Sequence, residues 1–254
     1  NNITANKVIS NTDATINSLT VGRGGGNFST NTSLGLDPLI SNSTGDGNTA
    51  IGYLTLHENT TGTENTAIGQ QALYQNTTGA TNVAVGSSSL IGANANDNVA
   101  IGWRSMGATT TGGSNTAIGS RSLWFNVTGG GNVALGNLAA IHQADNSSLT
   151  TANNSVYIGN DVSGYNNSDN NSIVIGASAV GAGANKTVIG NSSMTDVYFG
   201  SSAGLASTHA KRMFLGTSSV PGCIIMGDTA GGVGYITLDN GVLTVSSTPP
   251  SACQ

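Results

Sequence analysis

Apolar and small residues alternate in short runs that return along the chain at a fixed interval. The run reads NTAIG at 48–52, 65–69 and 115–119, NVAVG at 82–86, NVAIG at 98–102 and NVALG at 132–136. Its closing glycines are Gly35, Gly52, Gly69, Gly86, Gly102, Gly119 and Gly136, a period of 17 with one step of 16. A weaker form of the signature returns at Gly159, Gly176, Gly190, Gly200, Gly216 and Gly227. A fixed short period is the mark of stacked repeats, and this one predicts an all-β parallel solenoid, a β-roll of about twelve coils.

After each glycine come residues ending in Leu or Met (Leu56, Leu73, Leu90, Met106, Leu123) and then a turn such as NTTG at 59–62 and 76–79. Seventeen residues are too few for a helix pair, and the Gly, Asn and Thr density opposes helix. Two short strands per coil are expected. Alternation puts Thr66 and Ile68 on one face of a strand and Ala67 on the other, and the Ile/Val/Leu side is taken to face inward. Coils stack one strand spacing apart, ~4.8 Å, so equivalent residues form columns. Asn48, Asn65, Asn82, Asn98, Asn115 and Asn132 make one, in which side-chain amides bond to the rungs above and below. Ala50, Ala67, Ala84, Ala100, Ala117 and Ala134 make a second that never varies in size. Such a surface implies a close neighbour, either another strand layer or another chain, and the column is read as the tightest packing surface and as the interface between chains.

The N-[TV]-A-[IVL]-G units resemble the head repeats of trimeric autotransporter adhesins and, more closely in their NTAIG…AL…NTTG form, the repeats of bacteriophage tail fibres and of large secreted bacterial surface proteins. The resemblance covers about residues 31–200. It implies a left-handed β-roll assembled as an intertwined or side-by-side homotrimer, a place at the cell surface or on a virion, and a receptor or glycan as external partner. Adhesin head repeats are usually shorter than 17, and no heptad stalk, membrane anchor or chaperone segment accompanies the repeats here.

The flanks read as caps. Residues 1–30 form an N-terminal cap or linking segment, with strand-like INSLTVG at 16–22. Residues 31–216 are the solenoid, in which the Asn- and Ser-rich stretch 141–172 is expected to loop out. Residues 217–254 form a C-terminal cap in which YITLDNGVLTV at 235–245 predicts a hairpin turning at Asn240-Gly241. Both cysteines, Cys223 and Cys253, flank that hairpin, and their disulfide is expected to tie the end of the chain over the last coil.

Composition narrows the functions. Only 7% of the 254 residues are charged, against about 25% in ordinary domains, and glycine, at 37, is about twice its usual share. A net charge of −5 supplies no basic stripe for phosphates, so neither nucleic acid nor an anionic membrane is expected as partner. No apolar run reaches the ~18 residues of a membrane span.

Catalytic and metal-binding constellations are not evident. His57, His142 and His209 are isolated and read as surface residues. Asp46, Glu58, Glu64 and Asp97 fall in turns, where a carboxylate satisfies local amides or holds calcium, but the GGxGxDxUx calcium repeat is absent. No GxSxG, HExxH or phosphate loop occurs, and no cofactor or metal is expected. Thirteen N-x-[ST] sequons occur, including Asn59, Asn76, Asn126 and Asn185; composition accounts for them, and most are expected to be bare. The reading is a non-enzymatic extracellular fibre protein, shaft or head, that attaches or spaces. A glycan-cleaving tail protein is the alternative, and it needs paired carboxylates roughly 5–10 Å apart. An ice-binding solenoid is disfavoured because Val83, Val99 and Val133 interrupt the Thr array.

Overall fold

The structure is a computed structural model that describes residues 13–194 and, beyond them, five strands between 216 and 246. The chain divides into two units, Asn1–Thr195 and Asp196–Gln254. The first is the solenoid. β1 (Ala14–Ile16) and β2 (Leu19–Gly22) form an antiparallel hairpin, and β2 lies antiparallel against β3 (Thr32–Gly35). From β3 onward every pairing is parallel: β4 (Thr49–Ile51), β5 (Thr66–Ile68), β6 (Val83–Val85), β7 (Val99–Ile101), β8 (Thr116–Ile118), β9 (Val133–Leu135), β10 (Val156–Ile158), β11 (Ile173–Ile175) and β12 (Thr187–Ile189). Among the described residues the only helical element is one 3₁₀ turn, Gly25–Asn27, and no helix is long and apolar enough to cross a membrane.

Ten parallel rungs give nine turns, not the twelve that counting Gly signatures suggests. Gly216 and Gly227 belong to the second unit, where β13 (Gly216–Thr217) pairs with β14 (Val220–Pro221), and β15 (Cys223–Gly227), β16 (Val233–Asp239) and β17 (Val242–Ser246) form a meander. All of these pairings are antiparallel. Asp239 pairs with Val242 across residues 240–241, the spacing of a two-residue hairpin loop. The chain there folds back on its sequence neighbour instead of closing a coil. Gly200 and Cys253 lie outside the described residues, and with Cys253 so does the expected disulfide.

Each coil carries one strand, where two were expected. The second wall is a run in which left-handed residues alternate with right-handed ones: φ is +53° at Leu54 and +49° at Leu56, and the pattern returns at Gln71 and Leu73, Ser88 and Leu90, Arg104 and Met106, and Arg121 and Leu123. The amides of the two left-handed residues in a run go to opposite neighbouring coils, and the amide between them bonds within its own coil, as Ala72 N–H does to Gly69 O. Leu54 N–H donates to Leu36 O in the coil before, and Leu56 N–H to Ala72 O in the coil after. Placing leucine there costs about 1–2 kcal/mol. Full burial of the side chain returns ~1.5–3 kcal/mol, and Leu39, Leu56, Leu73, Leu90, Met106 and Leu123 are all fully buried. The glycine before the run is required on both counts: Gly52 has φ +139°, and a Cβ there would lie 2.7 Å from Gly69 O.

The faces of the strand are the reverse of the expectation. The central residue of each rung points in, so Ala50, Ala67, Ala84, Ala100, Ala117 and Ala134 are fully buried inside a single chain, in one cluster with the Leu/Met column. They cannot line an interface between chains. The flanking Thr/Val and Ile/Val/Leu residues point out, and Ile68 is 38% exposed and Ile118 41%. The reason is volume: the second wall already supplies a leucine per coil, leaving space for a methyl group opposite. In the coil where the position of Leu123 is taken by Ser163, the strand residue is Tyr157, also fully buried.

The stretch 141–172 stays in the roll except at one place. Val156 pairs with Val133 and Ile173 with Val156 in unbroken register. The extra length of that coil is a small excursion closed by the His142–Ser148 bridge and by Leu149 N–H donating to Ile141 O. Fully buried Leu149 anchors its end.

Because Ala84 is interior, Ala84→Leu should destabilise the isolated chain, by about 1–3 kcal/mol. Chemical denaturation checks this, and unchanged stability at any oligomeric state would place the methyl group outside the core.

Candidate functional site

Three arrangements of polar and aromatic groups stand out on this frame. The first is internal. Asn65 Nδ2 donates to Asn48 Oδ1 (3.1 Å) and to Gly79 O (2.9 Å), while Asn48 Oδ1 also accepts Asn65 N–H (3.0 Å). The same set repeats from Asn65 to Asn82 and from Asn98 to Asn115 to Asn132. At the shortened coil Asn98 keeps only its N–H bond to Asn82 Oδ1 and its own bond to Gly112 O. All six asparagines are fully buried. A buried amide is stable only when satisfied, and here the amides also close the turn between coils.

A second internal column, which the period alone did not disclose, runs through Asn42, Asn59 and Asn76. Each Nδ2 donates to the glycine carbonyl three residues on, and those of Asn59 and Asn76 also to the previous Oδ1. Ala93 follows where the next asparagine belongs, so Asn76 Oδ1 is left without a donor. Asn126 Oδ1 is likewise unpaired, because Gln143, one period on, turns its amide to Ser148 O. The sequons at Asn59, Asn76 and Asn126 sit in this fully buried column, their Nδ2 atoms already bonded, whereas Asn185 is exposed.

The isolated histidines and turn carboxylates do not converge. His57 stacks on Tyr74 one coil later, centroids 5.3 Å apart. His142 sits at the base of the excursion, and His209 lies outside the described residues. Among the described residues no three His, Cys, Asp or Glu side chains are grouped to hold a metal.

The second arrangement is buried chemistry. Tyr157 donates to Asp169 Oδ2 (3.2 Å), which also accepts Tyr165 N–H (2.8 Å). Burial first, and the charge of Asp169 second, hold the Tyr157 hydroxyl well above the ordinary tyrosine range.

The third arrangement faces solvent, and column logic builds it. Arg104 and Arg121 stand one period apart in left-handed positions of the second wall, so they are neighbours on adjacent coils. Trp103 precedes Arg104 and is 44% exposed. Trp124 sits one coil further on and reaches back over Gly107, where a Cβ would come within 3.0 Å of its indole. The two indoles thereby bracket both guanidiniums: Arg104 Cζ is 4.9 Å from the Trp103 ring centroid and 5.4 Å from that of Trp124, and Arg121 Cζ is 4.6 and 4.5 Å from them. Phe125 stacks on Trp124 at 4.9 Å. Each such contact is worth about 0.5–1 kcal/mol at an exposed site. Arg121 Nε is buried with no hydrogen-bond partner, and no Asp or Glu occurs between Asp97 and Asp145. Both tryptophans and two of the four arginines of the chain meet in this patch. Its sequence signal was present, since WRS at 103–105 and SRSLWF at 120–125 place the arginines one period apart; the fold over Gly107 that adds Trp124 has no such signal.

Comparison with protein-family models, with curated proteins and with solved structures finds no match for this chain.

Replacing Asn82 by Ala removes the acceptor of Asn98 N–H and the donor to Ala95 O. Each orphaned buried group costs about 1–3 kcal/mol, so Asn82→Ala should destabilise more than Asn76→Ala, whose Oδ1 is already unpaired. Parallel denaturation curves decide this, and equal losses would deny the ladder its energetic part. For Tyr157, above a pH of about 10 the unfolded chain releases the phenolic proton and the folded chain keeps it, so stability falls as pH rises. Tyr157→Phe should flatten that decline in melting experiments across the alkaline range, and an unchanged slope would refute the assignment.

Proposed function

We propose that the chain is a non-enzymatic structural and adhesive element of an extracellular fibre, the shaft or head of a surface appendage or a virion, that associates with further copies of itself and attaches to an outside receptor or glycan. The observation that carries this reading is the outer face of the sheet. It is a straight wall of two aliphatic-rich columns, Thr49-Thr66-Val83-Val99-Thr116-Val133 and Ile51-Ile68-Val85-Ile101-Ile118-Leu135, held in register by the parallel ladder.

A wall of half-exposed β-branched side chains with no charge along it is the kind of patch that marks an interaction surface. Its straightness and repetition suit an identical wall on a second copy, related by closed symmetry. The contact between chains is thus assigned to the Ile/Val face and not to the alanine column. The repeats themselves suit spacing: each coil bonds only to its neighbours, so length is added by adding coils.

The double substitution Ile68→Lys with Ile118→Lys places two charges on this wall. The wild-type chain is expected to run as an oligomer, a trimer in the simplest case, in light scattering, and the variant as a monomer with an unchanged circular dichroism spectrum. A monomeric wild type, or an oligomer indifferent to both lysines, would reject this face as the contact.

A further inference from the structure

We propose that the patch formed by Trp103, Arg104, Arg121 and Trp124 is a binding site for a carboxylated polysaccharide. Two guanidiniums on adjacent coils share one space between two indole rings. Ring faces attract cations but do not neutralise them, and the stretch from 98 to 144 contains both arginines and no acidic residue. In a chain with a net charge of −5, this is a local surplus of positive charge held in a fixed place. A planar guanidinium presents a fork that matches a carboxylate with two parallel hydrogen bonds, and two forks side by side match a carboxylate-bearing chain better than a single small anion.

The aromatic groups decide the rest of the ligand. Trp103, nearly half exposed, offers an apolar edge and face beside the charges. A pyranose ring carries a flat apolar C–H face with polar groups around its rim, so it packs on an indole while its carboxylate reaches the fork. Nucleic acid would use the same two features, stacking and cations. It needs a track of positive charge along its backbone, and the acidic chain supplies only this one pair among its coils. A uronic acid polymer is a polyanion too, but one or two of its sugars are enough to fill the arginine pair and the exposed indole. Gly107 leaves room for the site: a side chain there would press on the Trp124 indole, which lies back across the coil.

The inference rests on the attachment half of the function proposed above, and its test is independent of assembly. Both tryptophans of the chain lie in the patch, so tryptophan fluorescence, excited where tyrosine does not absorb, reports on the site. The full chain is titrated with polygalacturonate and hyaluronan, and in parallel with methyl-esterified polygalacturonate, neutral dextran, dextran sulfate and single-stranded DNA. The expected result is a saturable fluorescence change with at least one carboxylated polymer, lost on methyl esterification. Arg104→Gln, Arg121→Gln and Trp103→Ala should each weaken it by about tenfold or more. Arg104→Lys, which keeps the charge on an exposed side chain and is the variant least able to disturb folding, should weaken it too, because the fork is gone. No change with either carboxylated polymer, an equal response to the methyl ester, a response confined to dextran sulfate or to DNA, or full binding by Arg104→Lys would overturn the proposal. A monomer in light scattering with intact titration rejects the self-association and keeps the site; an oligomer without titration does the reverse.

Discussion

A coil of seventeen residues encloses a space about one side chain deep, and this narrowness governs everything else in the solenoid. One wall contributes a leucine or methionine per coil and the other an alanine. The two sizes are complementary, as the coil of Tyr157 and Ser163 shows: when one wall gives up volume the other takes it. So thin a core cannot bury much area per residue, and polar groups therefore take part in its cohesion. The asparagine columns fill the ends of the coil with hydrogen bonds that link successive rungs, while the strand ladder links them along the sheet.

The division between inside and outside follows from the same narrowness. Larger aliphatic residues of each strand have no room within, so they stand on the outer wall, where Ile68 and Ile118 are among the exposed apolar side chains. Long charged residues and the tryptophans stand outside likewise, and two coils collect enough of them in one place to make the Trp–Arg patch. The interior is monotonous and the surface is free to differ from coil to coil, which is how a repetitive scaffold acquires a local chemistry.

Much of this was legible in the chain itself. The period of 17 sets the rungs, and the pairing of Ala67 with Ala84, or Val99 with Thr116, is the register that the period implies. The direction of the strand was not legible, because alternation separates two faces without saying which is inside. Hydrophobicity favoured the isoleucines, but the deciding factor was the volume of Leu56 and its equivalents on the opposite wall. Nor did composition disclose the alternating left-handed backbone at Leu54 and Leu56, since leucine is a poor candidate for positive φ; burial offsets that cost at Leu56, whereas Leu54 is only partly buried and gains the bond to Leu36 O. The weak Gly signatures near the C-terminus misled in the coil count because Gly216 and Gly227 lie in antiparallel strands. The second asparagine column was hidden for another reason: Ala93 and Thr109 interrupt it.

The excursion between His142 and Ser148 shows what kind of material this is. The coil containing it runs from Val133 to Val156 and still delivers its next strand in register. The rungs on either side keep their register past the interruption, and the surplus is held at its base and by bonds to the next coil, such as Ala144 N–H to Tyr165 O. Lengthening such a loop costs little, about 0.6 kcal/mol for each doubling. A rod of this construction can therefore be edited one coil at a time, gaining a new outward segment at any level while every other level keeps its place.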